Sequence, residues 1–143
     1  MTESRQVCTF YLDGHYFGID VLKVQEVLRP QEMTRVPLAP AAVRGLINLR
    51  GRIVTAIDLR RRLELPDRPA DRPPVNVVVP TDDGAVSLLV DEVGDVLDVT
   101  GAVLEPVPET LVGAVRELIR GAYPLDGRLL LVLDPARVTA EPN

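Results

Sequence analysis

An ungapped internal repeat constrains the fold of this chain more than any other feature. Residues 44–58 align with residues 120–134 so that six of fifteen positions are identical: Arg44/Arg120, Gly45/Gly121, Leu49/Leu125, Gly51/Gly127, Arg52/Arg128 and Asp58/Asp134. Several further pairs exchange one aliphatic side chain for another. In each copy two apolar runs flank a glycine turn and stop at an aspartate. That is the pattern of a β-hairpin feeding a short helix capped by the aspartate. The runs at 53–57 and 129–133 are nearly continuous rather than alternating, so both faces of each strand should be covered. A core covers one face; the sister unit or a partner protein covers the other.

The flanking segments extend the repeat. Residues 6–12 alternate as a strand, Asp13-Gly14 is a tight hairpin pair, and residues 15–19 return. Asp83-Gly84 before the strand at 85–90 is the counterpart of that turn. Periodicity alone does not decide whether residues 21–29 are helical. In the second copy Gly94 interrupts the chain after Asp91-Glu92-Val93, which reads as a helical turn over 91–93 and then a strand over 95–99. By analogy, residues 20–24 are assigned a helical turn and residues 25–29 a strand. Pro30, Pro37 and Pro40 punctuate the link to the central hairpin, residues 58–63 form a short helix, and the proline-rich stretch 64–74 is a stiff connector. Residues 100–113 read as an irregular loop, and Asp134 caps a last short helix. The expected fold is mainly β: two small five-stranded β-barrel subdomains related by the internal repeat, with short helices. Their approximate bounds are 5–66 and 75–139, within a single domain spanning 1–143, with a groove along the junction.

Chemistry is hard to find. His15 is the only histidine and follows a turn; Cys8, the only cysteine, sits in an apolar strand pattern. No ligand spacing for a metal, no phosphate loop and no nucleophile elbow is present, so no catalytic, cofactor-binding or metal residue is assigned. Acid pairs such as Asp91/Glu92 and Asp82/Asp83 lie beside turns and read as capping groups. The arginines at 60–62 read as a solvated helix end complementing the dipole, in preference to a site for an acidic partner. A net charge of −5 and five aromatics argue against nucleic-acid binding. No run approaches the length of a membrane span, and no signal core is present. The expectation is a cytoplasmic protein without direct membrane insertion.

The two copies differ where turn chemistry would not predict it. The second hairpin has Asp126-Gly127, a type I′ pair, whereas the first has Arg50-Gly51, and arginine gains nothing from that geometry. Asn48 likewise replaces Pro124. Something other than turn propensity therefore selects Arg50, and the nearest candidate is a carboxylate on an adjoining strand, Glu26. The alternative is a solvated Arg50 with Glu26 paired locally to Lys23.

The run Ile19-Asp20-Val21-Leu22-Lys23-Val24-Gln25-Glu26-Val27, with Arg44-Gly45-Leu46-Ile47-Asn48-Leu49-Arg50-Gly51 and Ile57-Asp58-Leu59, resembles the CheW family of chemotaxis coupling proteins; Gly121 and Leu125-Asp126-Gly127-Arg128 fit too. The resemblance covers nearly the whole chain. It implies paired five-stranded barrels and a non-enzymatic adaptor that links the cytoplasmic tip of methyl-accepting chemoreceptors to the regulatory domain of the histidine kinase CheA. The implied location is the cytoplasm, at receptor arrays. It also implies that the receptor tip lies in the groove between barrels while a kinase barrel packs against a barrel end. Carried onto matching positions, the protein-binding residues are Val24, Glu26, Gly45, Asn48 and Arg50. A related receptor-kinase system governing surface motility or gene expression is the alternative output, and a small-barrel enzyme a more distant one. Pro30 and Pro37 depart from the family pattern, as does the early stop after Val138.

Overall fold

The computed structural model describes residues 5–82 and 84–140, so Asp83 of the expected Asp83-Gly84 turn lies outside the described residues. Among the described residues, ten strands and three short helices follow one another. The first half comprises β1 (Gln6–Leu12), β2 (His15–Asp20), a 3₁₀ turn (Val21–Lys23), β3 (Glu26–Leu28), β4 (Val43–Leu49), β5 (Arg52–Asp58) and α1 (Leu59–Arg62). The second comprises β6 (Val75–Thr81), β7 (Gly84–Val90), β8 (Glu92–Asp98), α2 (Gly113–Leu118), β9 (Ile119–Leu125), β10 (Arg128–Leu133) and α3 (Pro135–Thr139). The local signals act as anticipated. Asp13 and Gly14 both take positive φ between β1 and β2. Asp20 accepts from the Leu22 amide to start the 3₁₀ turn, and Asp58 and Asp134 accept from Arg60 and Ala136 to cap α1 and α3.

The strands form two five-stranded sheets, ordered β8-β1-β2-β10-β9 and β3-β6-β7-β5-β4. In both sheets the pairings are antiparallel except one, β2 with β10 and β5 with β7 respectively. The two orders map onto each other under the sequence repeat, with strands exchanged. Each sheet takes the first two strands of one copy and the last three of the other. The expected bounds 5–66 and 75–139 therefore do not coincide with the sheets. The chain crosses between sheets twice, after Asp20 and again at Asp91.

Interleaving explains the continuous aliphatic runs. Along β10, Leu131 and Leu133 join the large core shared between the sheets, while Leu130 and Val132 join a separate cluster with Val7, Tyr16, Val99 and Tyr123. Along β5, Ile57 faces the shared core and Ala56 a third cluster with Ile47 and Leu89. Each sheet is thus apolar on both faces, as the runs require.

The second copy departs from the reading at three places. There is no helical turn at 91–93. β8 begins at Glu92 and pairs with β1 along its length, shifting register between Cys8 and Phe10. Gly94 sits in that strand because a Cβ would lie 2.6 Å from Thr9 Oγ1. Residues 113–118, where the sequence reading placed no helix, form α2, whose N-cap Val112 makes no side-chain capping bond. Finally, at the β9–β10 tip only Gly127 takes positive φ, so the turn is not the expected type I′; Arg50-Gly51, with φ of 51° and 86°, is the tip where both central residues do.

The paired glycines of the repeat have an architectural cause. The backbone of Thr34 exchanges hydrogen bonds with Leu46 at 2.8 and 2.9 Å, and Glu105 does the same with Ala122 at 2.9 Å, each lying against the outer strand of its sheet. A Cβ on Gly45 would meet Thr34 O at 2.6 Å, and one on Gly121 would meet Glu105 O at 2.3 Å. Alanine at either position is expected to lower the unfolding free energy by about 1–3 kcal/mol, the usual scale of overpacking. Urea titration checks this, and unchanged midpoints would show that the 34 and 105 segments yield freely.

The arginines at 60–62 are not a solvated helix end. Arg60 is buried and grips Asp91 with two bonds, Nε to Oδ1 at 2.9 Å and Nη2 to Oδ2 at 2.5 Å. Arg68 reaches the same Oδ1 at 3.1 Å, and the Asp13 amide donates to Oδ2 at 2.9 Å. Arg61 binds Asp67 and the Ala41 carbonyl, each at 3.1 Å, and Arg62 binds the Val138 and Arg137 carbonyls of α3. Asp91 is therefore no turn cap; it sits at a crossing between sheets and joins α1, the connector and the β1–β2 turn.

Candidate functional site

Three of the five expected binding residues converge at the β4–β5 tip. Arg50 Nη2 is hydrogen-bonded and ion-paired to Glu26 Oε2, linking the tip to β3, at the opposite end of the sheet order. Glu26 therefore pairs with Arg50; Lys23 makes no ion pair with any described residue. Asn48 is exposed, and its Oδ1 accepts the Gly51 amide at 3.0 Å, so it braces the turn that presents Arg50. Arg50 keeps 71% of its side chain exposed while holding a left-handed backbone that costs an L-residue about 1–2 kcal/mol. An exposed pair returns only about 0–1 kcal/mol, so folding alone does not account for arginine here.

The other two positions do different jobs. Val24 is half-buried, packs on the shared core and lies between the 3₁₀ turn and β3. Gly45 is buried against the Thr34 backbone and the Met33 side chain, a position with an architectural cause of its own. Sequence reasoning missed the exposed apolar side chains, among them Ile53, Leu129 and Leu22. Ile53 and Leu129, 64% and 42% exposed, occupy the same position in the two copies, each one residue into the strand after a hairpin turn. Their equivalence was visible in the repeat. Leu22, 83% exposed on the 3₁₀ turn, carried no signal among the apolar residues around it.

A concavity of about 660 Å³ lies where the sheets meet, lined from one side by Pro80 and Thr81 at the end of β6 with Asp82 beyond it, and from the other by Arg120, Asp134, Pro135 and Ala136. Asp20 and Lys23, at the first crossing between sheets, complete it. Asp20 and Asp134 are engaged in capping, which leaves Lys23 and Arg120 as its available cations. Its size suits several side chains of a docked element. The exposed Leu22 adjoins Lys23 in sequence.

The titratable groups are arranged for structure. Burial pushes the Cys8 thiol up, away from the reactive thiolate. His15 is exposed and makes an edge contact with Phe17. Among the described residues no three His, Cys, Asp or Glu side chains gather as a metal site.

A family model described as the CheW-like domain matches residues 6–142. The chain is 35% identical to the chemotaxis protein CheW of Klebsiella aerogenes over 93% of its own length and 80% of that protein's. It is 32% identical to a probable chemotaxis protein CheW of Rhizobium etli and 31% identical to the chemotaxis protein CheW of Bacillus subtilis, over 92% of this chain and 84% of each relative. Among solved structures, a scaffolding protein, TtCheW from Thermoanaerobacter tengcongensis, superposes with a TM-score of 0.81 at 25% identity, over 92% of this chain and 90% of that one.

Proposed function

The chain belongs to the CheW-like family, and from that premise we propose that it couples methyl-accepting chemoreceptors to the regulatory domain of the histidine kinase CheA, at the receptor array. It is a non-enzymatic adaptor: it contributes interfaces and no bond-making chemistry. The helical receptor tip enters the inter-sheet groove beside Leu22, Lys23 and Arg120. The kinase domain packs against the β4–β5 tip, where Glu26, Asn48, Arg50 and Ile53 meet solvent together. The observation that carries this reading is Arg50, held exposed in a disfavoured backbone by an ion pair that spans the sheet order. Several modest contacts of this kind suffice in an array, because each bound partner raises the effective concentration of the next.

The test is isothermal titration of the purified chain with a receptor cytoplasmic fragment and, separately, with a kinase regulatory domain. Leu22→Glu is expected to weaken receptor binding at least about tenfold, near 1.4 kcal/mol, and to spare the kinase. Ile53→Glu is expected to do the reverse. Absence of binding to either partner would sink the proposal, and equal losses from both variants would merge the two surfaces.

A further inference from the structure

A second hollow lies on the segment between β3 and β4 and is lined by none of the residues named at the β4–β5 tip. The segment between β3 and β4 and helix α1 enclose about 590 Å³, lined by Met33, Val36, Leu38, Pro40 and Val43 together with three guanidinium groups, Arg35, Arg44 and Arg61. It shares no lining residue with the inter-sheet groove. Arg61 is committed to Asp67 and the Ala41 carbonyl, but the exposed Arg35 and Arg44 make no hydrogen bond or ion pair with any described residue. Arg44 also helps to lower the Asp67 carboxyl through space, but the hollow itself is lined by three guanidinium groups and no carboxylate, on a chain whose net charge is −5. Such a local excess selects acidic partners.

Leu38 adds the apolar half of the specification. The Ala39 amide closes a turn onto the Val36 carbonyl at 3.4 Å, with Pro37 and Leu38 at its centre. Leu38 takes φ of 63°, at the turn position where glycine or asparagine is favoured, and it is wholly exposed at 104% of its reference area. A leucine that is both strained and fully solvated does nothing for the isolated fold. Beside two unpaired guanidiniums it forms a contact surface for a carboxylate flanked by an apolar side chain.

We propose that this hollow docks an acidic segment of a partner protein, its carboxylates on Arg35 and Arg44 and an apolar side chain against Leu38 and Val36. The probe is a fluorescein-labelled peptide, Glu-Leu-Glu-Glu-Leu-Glu, followed by anisotropy against the full chain, with Glu-Ser-Glu-Glu-Ser-Glu and inorganic phosphate as competitors. Saturable, salt-sensitive binding is expected, weakened at least about tenfold by the double change Arg35→Glu/Arg44→Glu and by Leu38→Asn. Leu38→Asn is also expected to raise the thermal midpoint, because asparagine tolerates the left-handed backbone; lost binding in a more stable protein separates docking from folding. Both competitors should be at least about tenfold weaker than the labelled peptide. Absence of saturable binding, binding indifferent to these variants, or displacement by phosphate or the serine peptide at equal affinity would each overturn the proposal.

Discussion

Asp91→Asn is expected to lower the unfolding free energy by about 3–5 kcal/mol, the cost of removing one partner from a buried ion pair. The carboxylate holds Arg60 and Arg68, whose side chains are 9% and 7% exposed, and it accepts the Asp13 amide. Asparagine keeps the shape and removes the charge, leaving two buried guanidiniums opposed by Asp13 at 3.8 Å, by the more distant charges of Asp58 and Asp67 and by neighbouring carbonyls. Arg68 Nη2 already lacks an acceptor, so the cluster has no reserve to absorb the loss. Burial by itself opposes ionisation of Asp91, but the Arg60 hydrogen bond, the Asp13 amide and the charges of Arg60 and Arg68 together outweigh it and hold the carboxyl below its usual range. The sign of the pH dependence follows from that depression. The contribution is fully present above the unfolded carboxyl pKa of about 3.9, and it is lost as pH falls through the lower folded value. Denaturant titrations from pH 7 to 2 should therefore bring the wild type toward the variant at the acid end. Parallel curves separated by the same gap at every pH would remove Asp91 as the titrating group.

That cluster also marks the limit of what the chain discloses before it folds. Asp91 precedes Glu92 and follows a strand, so in sequence it looks like Asp20, which does cap a turn. Its partners are 31 and 23 residues away, and nothing local singles them out from other arginines. The hairpins were legible because turn residues and apolar runs act within a few positions of each other. The exchange of strands between sheets was not, because a repeat states which segments are alike and is silent on which copy each strand pairs with. Helix α2 escaped notice for want of a capping side chain at Val112. Gly45 illustrates a signal that the repeat does carry. Its identity with Gly121 already marked it as part of the shared frame, and close backbone contact is what the structure shows there. Arg50 stood out for the converse reason, as an unshared residue in a turn that does not suit it.

Charge reversal at that residue is expected to give the largest functional effect. Arg50→Glu is expected to weaken binding of the kinase regulatory domain roughly a hundredfold, about 2.7 kcal/mol, by setting two carboxylates against each other on the proposed docking surface. Stability should move by less than about 1 kcal/mol, since Arg50 is 71% exposed and exposed pairs contribute little. Glu26→Arg alone should also weaken binding, by placing two guanidiniums together. The exchanged double variant restores an opposite-charge pair across the same two positions and should recover at least about tenfold of the affinity lost. In a double-mutant cycle this appears as a coupling energy of about 1.4 kcal/mol or more. Strict additivity of the two single effects would mean that each side chain meets the partner independently. The pair would then be a bystander of the surface and not the device that shapes it. Full coupling with no change in the urea midpoint would instead show that this ion pair acts on binding, with the fold indifferent to it.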